Sequence, residues 1–234
     1  MVTDQYFFDP SVRAAVKFIK ENRIGRINTI IVRDQRFFEH GGWRTDKDQM
    51  GGGALIDGGI HFLDTLLNFG GNYESIHGKS IHGGSILNGE DNTAALFKFE
   101  NGTYGLFFYS WSYGNPPELP AFEIIGEKGS IYEDVKSRTS WEVGTPVRTV
   151  YGDLILNGEN ANVKKYDVYT AEIMEFAIFI YYSYVIYCSN SIIRYVFAIV
   201  ILKNIATIIC IAGNVGHRKI YGVISSGNAC KCKV

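Results

Sequence analysis

Within the first 175 residues, signals for helices occur only before Gly71, and this order restricts the fold more than any other feature. A first helix is predicted to begin at Asp9-Pro10, because Asp is a favoured N-cap and Pro a favoured first helical residue, and to end at Gly25. A second is predicted over 51–69, and "RINTIIVR" between the two predicts a strand. Beyond Gly71, the patterns predict strands alone.

Two hairpins are predicted among those strands. Asn101-Gly102 separates "AALFKFE" from "TYGLFFYSW" and is a strong signal for a tight turn. A second turn separates "AFEIIG" from "SIYED". This order along the chain, with helices before strands, predicts an α+β fold with an open, mainly antiparallel sheet and helices packed on one face. A doubly wound fold would alternate the two, and the chain has no G-x-G-x-x-G fingerprint for a dinucleotide.

The composition changes at residue 176. All 24 acidic residues lie at or before Glu175, and all four cysteines lie after it. We therefore predict one domain over 1–175 and an atypical, acid-free apolar tail over 176–234. Three explanations of the tail stay open: a nonnative sequence, a buried pair of terminal helices, and a membrane anchor. The anchor is the least favoured, since the apolar runs fall short of the ~18–20 residues that span a bilayer.

The net charge and the positions of the cysteines restrict the binding partners and the cellular compartment that we expect. A net charge of −1 gives no reason to expect nucleic acid. No secretory signal is visible and the first 175 residues lack cysteine, so we expect a cytoplasmic location. We expect free thiols and no metal site, because the "CKC" spacing is too tight for zinc.

The segment "GGGALIDGGIHFLD" over 51–64 holds the candidate chemistry. On a helix, Asp57 and His61 project from one side, and a carboxylate near an imidazole makes a candidate general base. An ordinary structural pair is the alternative, and Asp64 is expected to stabilise the helix. Gly58 and Gly59 each cost about 0.5–1 kcal/mol relative to alanine inside a helix, which predicts a flat, bulky group against this face.

The chain resembles the C-terminal domain of the glucose–fructose oxidoreductase/inositol dehydrogenase (Gfo/Idh/MocA) family from about Val2 to Phe176. The central segment follows the family pattern G-G-G-x-L-x-D-x-G-x-H-x-x-D. The resemblance rests on this order of segments: "DQYFFDPSVRAAVKFIKENRIGRI", "WRTDKDQMGGGALIDGGIHFLDTLLNFGG", "EDNTAALFKFENGTYGLFFYSW" and "FEIIGEKGSIYED".

The resemblance implies an oxidoreductase that acts on the CH–OH group of a sugar, polyol or dihydrodiol with NAD or NADP. It implies that His61 is the general base and that Asp57 holds the substrate hydroxyl. It also implies that Gly58 and Gly59 lie beside the nicotinamide. Candidates for substrate contact are Arg36, Trp43 and Arg44, with a purely structural loop as the alternative.

Two features of the family have no match in this sequence: the dinucleotide-binding half and a Glu-Lys-Pro segment. We therefore expect the chain to be inactive alone. It would be the catalytic half of an oxidoreductase that is either truncated as a gene model or paired with another chain. The alternative is a non-catalytic dimerisation or sugar-binding module. The resemblance further implies a homo-oligomer formed through the open face of the sheet.

Overall fold

The computed structural model describes residues 4–139 and 145–187, which form an eight-stranded sheet with helices against one face. The predicted α+β fold with an open, mainly antiparallel sheet is confirmed. The chain divides into two compact units, Met1–Phe176 and Ala177–Val234, and every described strand belongs to the first. Among the described residues, no helix is long and apolar enough to cross a membrane.

Most of the acid-free tail lies outside the described residues. The three explanations of residues 188–234 and the free state of the cysteines therefore stay predictions, as does the domain boundary at residue 176.

The predicted helices and strands follow one another in the predicted order, with three additional strands and two additional helices in the described part of the chain. The prediction of strands alone beyond Gly71 was wrong, because a helix begins at Val168. The helices are α1 (Pro10–Lys20), α2 (Lys47–Met50), α3 (Ile60–Gly70) and α4 (Val168–Tyr187). The strands are β1 (Ile27–Gln35), β2 (Tyr73–Ile81), β3 (Asn92–Phe99), β4 (Tyr104–Ser110), β5 (Phe122–Gly126), β6 (Ser130–Asp134), β7 (Asp153–Leu156) and β8 (Glu159–Asn160).

The sheet has the strand order β2-β3-β4-β1-β5-β6-β7-β8. Both predicted hairpins are confirmed, because β3 pairs antiparallel with β4 and β5 with β6. Gly102 turns the first of them with φ = 83°, in the left-handed region that suits glycine. Strand β1 lies between the two hairpins and pairs with β4 in parallel, a contact that local patterns did not predict.

The ends of the predicted helices need correction. Helix α1 ends at Lys20 and not at Gly25, because Asn22 already has φ = 55°, which a right-handed helix does not accommodate. Gly51 is also left-handed (φ = 86°), and it caps α2 instead of beginning the second helix. The helical course leading into α3 begins only at Ala54.

Aromatic side chains fix α3 on the sheet. The ring of Phe69 lies 5.1 Å from that of Phe122 on β5, and the ring of Phe62 lies 5.6 Å from that of Tyr109 on β4. Leu66, between them on the same helical face, is fully buried. Burial of such side chains stabilises the fold by about 1.5–3 kcal/mol each, and it fixes where the start of α3 points.

The carboxylate of Asp9 joins the start of α1 to the segment before β7. It is fully buried and accepts hydrogen bonds from the backbone N–H groups of Ser11 (2.8 Å), Val150 (2.7 Å) and Tyr151 (3.1 Å). Burial raises the pKa of Asp9 to about 6, although these N–H donors oppose the shift. The predicted N-cap residue therefore also forms a tie, a set of hydrogen bonds between two segments that are far apart in the sequence.

Replacing this side chain tests that tie. We expect Asp9→Ala to lower the free energy of unfolding by about 3 kcal/mol, because it leaves three N–H groups without their acceptor. Urea denaturation followed by circular dichroism measures the change. Asp46→Ala is the matched control, since Asp46 caps the short, exposed α2 and should matter far less. Equal effects of the two changes would contradict the assignment.

Candidate functional site

The predicted catalytic residues lie where the helical course changes its winding. Leu55–Gly59 form a π-helical turn that runs directly into α3, with Asp57 inside the turn and His61 just after it. Glu90 caps the beginning of this course: its backbone O accepts from Ala54 N (2.7 Å) and its Oε1 from Leu55 N (3.2 Å). Turns of the π type occur mostly as single insertions in α-helices, frequently at functional sites.

His61 has partners that the sequence did not indicate. Its Nδ1 lies 3.1 Å from Asp4 Oδ2, and its ring stacks on Tyr6 with centroids 4.6 Å apart and planes at 15°. The hydrogen bond with Asp4 raises the pKa of His61, burial opposes it, and the charges of Asp4, Asp57 and Asp64 add to the rise. Its Nε2 has no hydrogen bond with any described residue.

Asp57 belongs to a second group of side chains. Both of its oxygens lie 3.2 Å from Arg44 Nε, and Oδ2 lies 3.4 Å from His40 Nε2. The Arg44 guanidinium lies 4.6 Å from the ring of Trp43, which is 49% exposed. Burial lowers the pKa of His40, although the charge of Asp57 opposes the shift. The predicted residues Asp57, Arg44 and Trp43 thus lie together, beside a histidine that sequence analysis missed.

Arg36 lies apart from that group. Its Nε donates to Asp34 Oδ2 at 2.6 Å, at the end of β1. Burial raises the pKa of Tyr6 to about 12, and the charge of Arg36 is the largest influence that lowers it. Arg36 is therefore close to the ring that supports His61 rather than to Asp57.

The two interior glycines allow the helix to approach an aromatic strand. A Cβ at Gly58 would overlap Tyr109 Oη, and one at Gly59 would lie 3.0 Å from Tyr109 Cδ1. Tyr109 accepts a hydrogen bond from Trp111 Nε1 at 2.7 Å. The flat group at these positions is thus a side chain of the sheet itself. Contact of Gly58 and Gly59 with a cofactor stays a prediction.

Sequence analysis missed five residues around the candidate site. Tyr109 and Trp111 alternate along "YSW", which could have placed them on one face of β4. Asp4 lies 57 residues from His61, so no local pattern joins the two. The five are Asp4, Tyr6, His40, Tyr109 and Trp111.

The charged side chains nearest the candidate site are paired with one another. Each of the two arginines nearest the site is paired with a carboxylate, Arg36 with Asp34 and Arg44 with Asp57. Nowhere in the described ranges do three His, Cys, Asp or Glu side chains form a group that could hold a metal. Two surface cavities, of about 250 and 460 Å³, are lined by neither Asp57 nor His61. What the site offers is a paired carboxylate and an oriented imidazole.

Comparison with known protein families identifies the sheet and the central segment. A family model described as the GFO/IDH/MocA C-terminal domain matches residues 12–132. This range includes the π-helical turn, α3 and the strands from β1 to β5.

Solved structures share the fold. An oxidoreductase from Thermotoga maritima matches with 23% identity and a TM-score of 0.56, over 92% of this chain and 60% of that one. An aldose–aldose oxidoreductase from Caulobacter crescentus, complexed with glycerol, matches with 18% identity and a TM-score of 0.58, over 91% and 61%. An Agrobacterium radiobacter oxidoreductase in complex with NAD⁺, L-tartaric acid and magnesium matches with 16% identity and a TM-score of 0.53, over 72% and 45%. The chain thus spans less than two thirds of the length of these proteins.

The contact between the glycine turn and Tyr109 can be tested by stability. We expect Gly58→Ala to destabilise the protein by about 1–3 kcal/mol, because the added methyl group overlaps the Tyr109 hydroxyl. In the background of Tyr109→Phe, which removes that oxygen, the same change should cost clearly less. Thermal denaturation of the two single variants and the double variant gives the coupling.

Gly114→Ala serves as the control, since a Cβ there meets nothing within 4 Å, and it should change the stability little. A Gly58→Ala protein as stable as the wild type would show that the turn does not depend on this approach.

Proposed function

The chain belongs to the GFO/IDH/MocA C-terminal domain family, and we propose that it is the substrate-binding and catalytic half of an NAD(P)-dependent oxidoreductase acting on the CH–OH group of a sugar, polyol or dihydrodiol. The observation that carries the proposal is the orientation of His61. Asp4 and Tyr6 hold one edge and one face of its ring, while Nε2 stays open. A histidine with a raised pKa and a free ring nitrogen suits proton transfer near neutral pH.

His61 and Asp57 have different roles in the proposed reaction. His61 Nε2 accepts the proton of the substrate hydroxyl, and the carboxylate of Asp4 stabilises the imidazolium that results. Asp57 accepts a hydrogen bond from a substrate hydroxyl, and its contact with Arg44 holds the carboxylate in position. The exposed ring of Trp43, stacked on Arg44, offers an apolar surface to the carbon face of a sugar.

We propose that the cofactor binds to a separate dinucleotide-binding domain, as the family resemblance implies. NAD(P) bound there would supply the hydride acceptor, and the nicotinamide would meet this chain near the π-helical turn. By itself the chain should therefore show no turnover.

Removing the proposed base tests the function. The assay uses the natural protein that combines this chain with its dinucleotide-binding domain, and follows reduction of NAD⁺ or NADP⁺ with a panel of sugars and polyols. We expect His61→Asn to lower kcat by about 100-fold to 10,000-fold, the usual contribution of a general base. Asp57→Asn should reduce kcat/KM, because it loses the contact with the substrate hydroxyl.

His82→Asn is the matched control, since the exposed His82 lies in the loop between β2 and β3, and it should retain full activity. Failure of the natural protein to bind NADH or NADPH would refute the oxidoreductase and favour a non-catalytic, sugar-binding or dimerisation module. Full activity of His61→Asn would refute the assigned base alone.

The open face of the sheet supports a second part of the proposal, a homo-oligomer. This face carries several large apolar side chains that are 37–53% exposed: Ile81, Leu96, Tyr104, Phe108 and Ile125. This apolar patch is distributed over β2, β3, β4 and β5, and polar residues such as Asn92 and Arg33 lie between some of its members. Large exposed apolar side chains gathered on one face of a soluble protein often mark an interface. We propose that two copies of the chain associate through this face.

Charges placed in the middle of the patch should separate the copies. We expect Leu96→Glu and Phe108→Glu, at neighbouring positions on β3 and β4, to convert the wild-type dimer into a monomer in sedimentation velocity experiments, because burial of an unpaired charge is unfavourable. Ile86→Glu is the control, since Ile86 is 54% exposed but lies in the loop between β2 and β3. A wild-type chain that sediments as a monomer at all concentrations would rule out the interface.

A further inference from the structure

We propose that Asp4 is the positioning residue of His61: its carboxylate keeps the proton of the neutral imidazole on Nδ1, and so leaves Nε2 as the atom that accepts a proton. The inference rests on the proposed function for the role of Nε2 in catalysis. The tautomer itself is a property of this chain alone, and it can be measured without cofactor or substrate.

The chemistry of the two groups determines which atom carries the proton. An ionised carboxylate can only accept hydrogen bonds, so the 3.1 Å contact between Asp4 Oδ2 and His61 Nδ1 requires a proton on Nδ1. A neutral imidazole has one N–H group, and Nε2 then carries a lone pair. In this way, the hydrogen bond at one ring nitrogen determines whether the other nitrogen carries a proton.

The backbone around Asp4 holds this carboxylate in place. Its other oxygen, Oδ1, accepts from Tyr6 N at 2.9 Å, and its backbone O accepts from Phe7 N at 3.2 Å. Tyr6 in the same turn stacks on the imidazole, and its own pKa of about 12 keeps it neutral. The turn thus presents an acceptor to the edge of His61 and a flat ring to its face.

Other acidic groups surround the imidazole, but their contacts differ in kind. Asp57 and Asp64 on the same helical course raise the pKa of His61 through their charge, and Glu172 on α4 is electrostatically coupled to His61 and Asp4. Asp57 hydrogen-bonds Arg44, whereas Asp64 accepts from Asn68 Nδ2 at 2.7 Å. Of the acidic side chains described around the ring, Asp4 is the one hydrogen-bonded to it, so Asp4 selects the tautomer.

Asp4→Asn should change the tautomer while keeping the turn. The amide oxygen of asparagine can still accept the Tyr6 N–H, which leaves its NH₂ group facing His61 Nδ1. Because NH₂ can only donate, Nδ1 becomes the acceptor and the proton moves to Nε2. The loss of the negative charge should also move the titration midpoint of His61 to lower pH.

The measurement is two-bond ¹H–¹⁵N correlation spectroscopy of the 234-residue chain, labelled with ¹⁵N-histidine, over a pH series. The signal of His61 is identified by its loss in His61→Asn. Above the midpoint, the wild type should show a protonated Nδ1 and an unprotonated Nε2, and Asp4→Asn the reverse. Asp64→Asn is the matched control: it removes a nearby charge without a hydrogen bond, so it should lower the midpoint but keep the tautomer.

A wild-type His61 with its proton on Nε2 would overturn the proposal, and this result needs no variant to fold. An unchanged tautomer in folded Asp4→Asn would also overturn it. The outcome is separable from that of the oxidoreductase assay. A protein with the expected tautomer but no NAD(P)-dependent activity would refute the proposed function alone, and an active protein with the opposite tautomer would refute only the role of Asp4.

Discussion

The rest of the structure depends on the buried carboxylate of Asp9. It fixes the start of α1 and, through its bonds to the backbone before β7, the position of Tyr151. The hydroxyl of Tyr151 lies 2.9 Å from that of Thr65 on α3, and Thr65 in turn donates to the backbone O of His61 at 3.2 Å. A buried ionisable group is unfavourable unless its hydrogen bonds are complete, so this chain of contacts has little freedom. The position of His61 therefore depends, through these contacts, on the carboxylate of Asp9 that caps α1.

The candidate site combines two supports of different origin. The sheet supplies Tyr109, against which the glycine turn lies without Cβ atoms between them. The turn before α1 supplies Asp4 and Tyr6, which hold the ring of His61. The separation of these supports explains how the helical course can approach the strands closely while one ring nitrogen stays open. It also gives the glycines a structural role.

Much of the fold could be predicted, because local chemistry determines it. Asp9-Pro10 and Asn101-Gly102 act within a few residues, and both begin the elements that their patterns indicate. The parallel pairing of β1 with β4 depends on contacts between distant segments, which no local pattern contains. The same limit applies to the site. Asp57 and Arg44 lie 13 residues apart within one motif region, whereas the partner of His61 lies 57 residues away.

The tie at Asp9 also has a consequence for synthesis on the ribosome. Asp9 and Tyr151 are 142 residues apart in the sequence. At a synthesis rate of about 5–20 residues per second, the N–H group of Tyr151 is therefore made roughly 7–30 s after the carboxylate of Asp9 that it binds. During this interval the nascent first helix lacks the contacts that hold it against the sheet, and its apolar face is available to chaperones. His61 consequently acquires its complete environment late, after Tyr151 has left the exit tunnel.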